Sequence, residues 1–302
     1  MNQVTIKNNF ITLTVLDYGA IIQKLILKNK DGNDINVVVG FEEPERYLTD
    51  NKSLGACIGR YAGRISNSSF TIDGTDYPLF AHNGVHLHGG KEGFGKKIWK
   101  IDKVHDGENP FVTLTYNSMD MEEGYPGNLA VTLTYKLMDS SLHIIHQATT
   151  DKATPVNLTN HSYFNLDGEV KLDHYDLRMP CSEFLELDPQ LMPTGEVVSV
   201  KGTNYDFLER KKIDQTRFDT PFVLDSSLRF NTKLSSNKSG ISMEVITDQP
   251  AMVVYTPPEF AAICFETQNF PDAPNQPSFP NSILNPGETY HNGTEYRFGF
   301  VN

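Results

Sequence analysis

Apolar residues recur along this chain at every second position. Val131, Leu133, Tyr135 and Leu137 alternate with Thr or Lys, Ile241, Met243 and Val245 repeat the pattern, and Tyr296, Phe298 and Phe300 do so again. A period of two marks half-buried strands, because successive side chains leave an extended backbone on opposite faces. Turn chemistry falls between such runs. Phe70 to Ile72, Asp73-Gly74 and Thr75 to Tyr77 predict a two-residue hairpin, and Asp31-Gly32 after Leu25 to Leu27 predicts another. The best helical candidates, Glu42 to Leu48 and Gln215 to Phe218, are too short to form a long amphipathic helix.

Strand-like runs cover the whole 302 residues with no composition break and no repeat of 20 to 50 residues. This predicts an all-β chain built as one domain, residues 1–302, folded as a single large antiparallel β-sandwich. The Pro-rich stretch Pro271 to Pro286 carries Phe279, Ile283 and Leu284 and follows Phe270, so it is read as an ordered loop packed on a sheet.

Composition narrows the partners. Lys and Arg number 26 against 38 Asp and Glu, a formal charge of −12. That field repels phosphate backbones and anionic lipid, which argues against nucleic-acid and membrane partners. No stretch approaches the roughly 18 apolar residues of a membrane span, and no apolar segment follows a basic start. Cys57, Cys181 and Cys264 are odd in number and far apart, which fits free thiols in a reducing, cytoplasmic setting.

Several chemistries lack their anchors: G-x-S-x-G, the phosphate loop, H-E-x-x-H and G-x-G-x-x-G are all missing. Four segments remain. In Asn83 to Gly90, His86 and His88 are two apart and would share a face of an extended chain; with Glu92 they match the H-x-H-x-x-x-E ligand spacing of a metal cupin. The bland alternative has one histidine facing a cleft and the other holding a turn. In Asn157 to Leu166, His161 sits among amides and hydroxyls able to bind sugar hydroxyls, or is a histidine held in the core by its neighbours. Glu266 directly follows the apolar run Phe260 to Phe265, where partial desolvation would raise its pKa toward neutrality. Arg60 and Arg64, on one face of a strand, would grip a phosphate or carboxylate, or pair with the excess acids.

GRYAGRI, LHGG, EGYPGNL, DKATPVNLTNHSYFNL, PTGE, FD-x-x-F and ETQNFPDAPNQPSFPNSILNPGETY occur in the order and at about the spacing of the aldose 1-epimerase (galactose mutarotase) family, which the chain resembles from near residue 10 to its last strand. The resemblance implies a galactose mutarotase-like supersandwich that interconverts the α and β anomers of free aldohexoses such as galactose and glucose, with no cofactor and no metal. It implies Glu266 as general base and His161 as proton donor, with Arg64, His88 and Asp219 on the sugar and Tyr163 lining the site. Two positions depart from the family pattern: Gly63 stands where many members have Asn, and Val253 where many have Gln. Both lost side chains would touch the sugar and not move the proton. Rival expectations are a hexose-6-phosphate epimerase recruiting Arg60 and Arg64, a non-catalytic sugar-binding protein, and the metal cupin. The expected partner is a small sugar, and the expected assembly a monomer or homodimer.

Overall fold

Alternation becomes architecture in two packed sheets. The computed structural model describes all residues except 83, 169–171, 173–174, 215, 226, 229–231 and 302. A nine-stranded antiparallel sheet runs in the order Lys100–His105, Phe111–Ser118, Leu129–Met138, Ser141–Thr150, Tyr290–Phe300, Ile241–Thr247, Thr232–Ser236, Tyr175–Arg178, Lys211–Lys212. A six-stranded sheet runs Tyr163–Phe164, Ile263–Gln268, Ala251–Tyr255, Asp219–Val223, Glu183–Leu187, Pro193–Ser199. A four-stranded N-terminal sheet, Gln3–Lys7 to Asp34–Asn36, adds to the same main core.

The two large sheets share one apolar layer. Val131, Leu133, Leu137, Met243, Val245, Tyr296 and Phe298 from the first belong to the same buried cluster as Phe222, Met252, Val254, Ile263 and Phe265 from the second. Where polar groups enter this layer they bridge the sheets: Tyr296 Oη donates to the Phe265 carbonyl at 2.9 Å, and Asn292 Nδ2 to the Thr267 carbonyl at 2.9 Å. Burial without such partners would cost each group about 1–3 kcal/mol.

The six-stranded sheet therefore has a dry face and a cleft face. Along Ile263–Gln268, Ile263 and Phe265 go to the core, so Cys264, Glu266 and Gln268 leave on the other side. Register extends that face sideways: Tyr163 and Tyr255 flank Cys264, Asp219 pairs with Tyr255, and Val253 lies opposite both Glu266 and Pro221.

The all-β antiparallel sandwich expected from the period of two is present, and the local expectations divide. The hairpin at Asp73-Gly74 forms with Ile72 opposite Thr75 and φ of 51° and 76° at the two loop residues, the signature of a I′ turn. The turn at Asp31-Gly32 is longer than two residues, because Asn29 Oδ1 accepts from the Asp31 and Asn33 amides and the ladder resumes only at Asp34. Pro44–Thr49 is a single 3₁₀ segment that overlaps the Glu42–Leu48 region and runs one residue past it; Gln215 lies outside the described residues. Phe300, expected to face inward, is 56% exposed at the end of its strand. The Pro-rich stretch is an ordered loop: Phe270 and Phe279 pack on Leu185 and Ala251, and buried Asp272 accepts from Ser66, Asn275 and Gln276. All three cysteines are free and buried. No helix among the described residues is long and apolar enough to cross a membrane.

Candidate active site

A cleft of about 240 Å³ opens on the free face of the six-stranded sheet. Its volume lies below the roughly 300–1,000 Å³ of drug-sized sites and suits one sugar ring. Arg64, His88, His161, Tyr163, Asp219 and Glu266 all line it, together with Gly63, Val253, Tyr255 and Gln268.

Glu266 and His161 face each other at the bottom. His161 Nε2 lies 3.4 Å from Glu266 Oε1, with side chains 6% and 3% exposed. The histidine is held from three sides. Its own N–H and C=O bond to Ala56 and Gly55, its ring stacks on Tyr163 at 4.9 Å, and Nδ1 meets the Cys264 thiol at 3.6 Å. Tyr163 is itself fixed by its hydroxyl, which donates to the Lys52 carbonyl at 2.8 Å. Burial pushes the Glu266 carboxyl up to about 8, aided by the neighbouring Asp219 charge and offset by Arg64. Burial also drives the His161 imidazole down to about 4. With shifts this opposed, the pair holds a single proton between those limits.

The other polar groups form a ring around this pair. Arg64 reaches Asp219 at 3.9 Å, and the Asp219 carboxyl is raised by burial and partly restored by Arg64. Half-buried His88 packs edge-on against His161 at 5.4 Å. Its Nδ1 accepts the Gly63 amide N–H at 3.2 Å, so the neutral ring carries its proton on Nε2 and that nitrogen can only donate. The His88 imidazole is kept neutral, well below its usual range, by burial and then by His161 and Arg64.

Glycines make this arrangement possible. Gly89 has φ of +82°, and a Cβ there would lie 1.9 Å from the Gly59 carbonyl oxygen, so only glycine lets the LHGG turn pack on the GRYAGRI loop. Gly63, at φ +81°, turns the chain so that Arg64 enters the cleft.

Three sequence expectations are corrected. His86 and His88 do not share a face: His88 has φ of 51°, which breaks the extended period, and His86 is buried with Nδ1 on the Phe80 carbonyl and Nε2 on Tyr125 Oη, at 2.7 and 2.5 Å. Glu92 is exposed, so the cupin triad is not assembled. Among the described residues the one cluster with metal-ligand spacing is His88, His161 and Glu266, within 4.8 Å. That set fits a resident cation poorly, because His88 Nδ1 is already an acceptor and its other nitrogen is protonated.

Arg60 and Arg64 do not act together either. The connection between Cys57–Ile58 and Arg64–Ile65 is a loop, and Arg60 turns inward, 1% exposed, donating to the Pro126, Gly127 and Met119 carbonyls and to Ser118 Oγ at 2.7–3.0 Å. It is unavailable to a phosphate. Finally, the amides of Asn157 to Leu166 are structural. Asn157 bonds Ala62 and Asn269, Asn160 bonds Gly55 and Ser162, and Asn165 bonds Ala261. From that segment only His161 and Tyr163 reach the cleft. The sequence reading missed Tyr255 and Gln268 as site residues. The step of two from Glu266 would have found Gln268, whereas Leu187 and Leu191 carry no local signal.

A buried carboxyl and imidazole in contact, with polar side chains around them, suit proton transfer on a small hydroxylated ligand. The aldose 1-epimerase family model matches residues 2–297, and the chain belongs to that family. It is 37% identical to galactose mutarotase of Bos taurus, over 97% of this chain and 92% of that protein. It is 35% identical to aldose 1-epimerase of Escherichia coli, over 98% and 94%. A solved GalM/aldose epimerase homologue from C. elegans superposes with a TM-score of 0.95 at 30% identity, covering 100% of this chain and 99% of that one. Galactose 1-epimerase from Lactobacillus acidophilus does so with 0.89 at 28%, covering 99% and 95%. The chain is an isomerase with aldose 1-epimerase activity.

Proposed function

We propose that this enzyme interconverts the α and β anomers of free aldohexoses such as glucose and galactose, with Glu266 as general base and His161 as general acid. Glu266 takes the proton of the C1 hydroxyl. As C1=O forms, the C1–O5 bond breaks, its electron pair goes to O5, and His161 protonates that oxygen. The open-chain aldehyde rotates about C1–C2. Closure reverses both transfers on the other face of the carbonyl, which returns the enzyme to its starting state.

The observation that carries this reading is the 3.4 Å contact between two buried groups that share one proton. Without substrate, the raised carboxyl and the lowered imidazole put that proton on Glu266. A bound hemiacetal favours the isomer needed for opening, because its O1–H donates to a carboxylate and its O5 accepts from an imidazolium. Each positioned group contributes about 10²- to 10⁴-fold. His88 Nε2 and Arg64 donate to oxygens where charge develops, Asp219 accepts from hydroxyls, and Tyr163 holds His161 against the ring. This proton relay requires no cofactor and no metal.

We further propose that residues 1–302 act as one domain, as a monomer or homodimer in the cytoplasm, with the sugar as partner and neither nucleic acid nor membrane. The −12 charge and the three free thiols support that setting. Polarimetry of fresh α-D-glucose and α-D-galactose, with and without the protein, is the test. Acceleration of at least one sugar is expected; acceleration of neither overturns the reading.

A further inference from the structure

Gln268 lies two residues beyond Glu266 on the same strand, so both side chains leave the sheet on the cleft side. It is 0% exposed, yet it lines the cleft. Its amide has a determined orientation: Nε2 donates to the Asn269 carbonyl at 3.1 Å and weakly to the Ala62 carbonyl at 3.5 Å, so the other terminal atom is the oxygen. Among the described residues that oxygen, Oε1, has no hydrogen-bond partner. Asn157 Nδ2 donates to the same two carbonyls.

The neighbours on the cleft side of the amide are small or apolar. Gly63 has no side chain, and a Cβ there would stand 3.4 Å from Gln268 Nε2. Val253, across the ladder from Glu266, offers no polar atom. A buried carbonyl oxygen without a donor carries an uncompensated desolvation cost and calls for a partner.

We propose that Gln268 is a specificity-determining residue whose Oε1 accepts a hydrogen bond from one hydroxyl of the bound sugar. The proposal rests on the aldose 1-epimerase reading above. Glu266 and Gln268 then form a ladder on one strand: the first moves the anomeric proton, and the second, one step along, selects the substituent it meets. Val253 between them and the next strand supplies an apolar floor for ring C–H groups.

The test compares wild type with Gln268→Met, which keeps the length and loses the acceptor, by polarimetry on D-glucose and its 2-, 3-, 4- and 6-deoxy analogues. Wild type on glucose is read first: no acceleration overturns the epimerase reading itself. With that activity present, Gln268→Met should lower kcat/KM on glucose about tenfold, mainly through KM, with the limbs of the pH profile unmoved. One deoxy sugar should be used about tenfold less well by wild type and equally by both proteins. If the variant loses the same factor on every deoxy analogue, or nothing on glucose, Gln268 binds no hydroxyl and the proposal fails. Should Gln268→Met not fold, Gln268→Asn, which withdraws the same amide by one methylene, is read against the same panel with the same pattern expected.

Discussion

Glu266 Oε1 and His161 Nε2 lie 3.4 Å apart with almost no exposure, and burial moves their affinities for protons in opposite directions, to about 8 and about 4. Neither residue alone defines the working state. What matters is that the pair carries one proton, since loss of it leaves no acid and gain of a second leaves no base.

The first prediction is a pH profile. kcat/KM for α-D-glucose should form a broad bell, with an acid limb near 4 from protonation of the imidazole and an alkaline limb near 8 from loss of the carboxyl proton. Initial rates across pH 3.5 to 9.5 check it. A profile governed by a single limb near 6.5 would show an unshifted histidine at work.

A second concerns Glu266→Gln. Activity should fall by about 10²- to 10⁴-fold, while stability rises at neutral and alkaline pH. The sign follows from linkage. Between the ordinary carboxyl value of 4.5 and about 8, the unfolded chain has released this proton and the folded chain retains it, so wild-type stability falls as pH rises through that window. The amide removes the penalty. Thermal unfolding at pH 5 and pH 8 should give a larger gain in Tm at pH 8.

The paired histidines of VHLHGG should separate into a structural and a functional residue. His86→Ala removes the partner of Tyr125 Oη and of the Phe80 carbonyl in a filled core, which costs about 2–5 kcal/mol of stability. His88→Gln should leave denaturation almost unchanged and lower kcat/KM about 10²-fold, the scale of a lost donor to developing charge. Urea unfolding and polarimetry on both variants decide. Equal effects from the two would contradict the divergence at His88.

The arginines of GRYAGRI should separate likewise. Arg60→Met abandons the carbonyls of Pro126, Gly127 and Met119 and should destabilise the fold by about 3 kcal/mol. Arg64→Met, at the cleft, should weaken sugar binding with little change in unfolding. Since Arg60 is engaged inside the fold, glucose 6-phosphate should not compete with glucose more strongly than a second free hexose does. Tight competition by the phosphate would reassign the substrate class.

Much of the fold was legible because strand burial is a local rhythm. Val131 to Leu137 and Ile241 to Val245 needed only alternation, and Asp73-Gly74 needed only residues that tolerate positive φ. Glu266 was also legible, being an acid that continues an apolar run. The segment around His161 misled in part: its amides look like sugar ligands in sequence, but Asn157, Asn160 and Asn165 are consumed by backbone carbonyls and neighbouring groups from distant segments.

By itself, then, the sequence determined the antiparallel sandwich, the family, and Glu266 as a partly desolvated acid at the end of an apolar run. Period and motif survive without knowledge of distant contacts. Tertiary structure decided which of two histidines and which of two arginines enter the cleft, because left-handed Gly63 and His88 interrupt the period on which spacing arguments depend. It also decided the proton affinities at the centre. Those follow from burial among groups that come from several distant segments, and no local stretch of sequence contains them all.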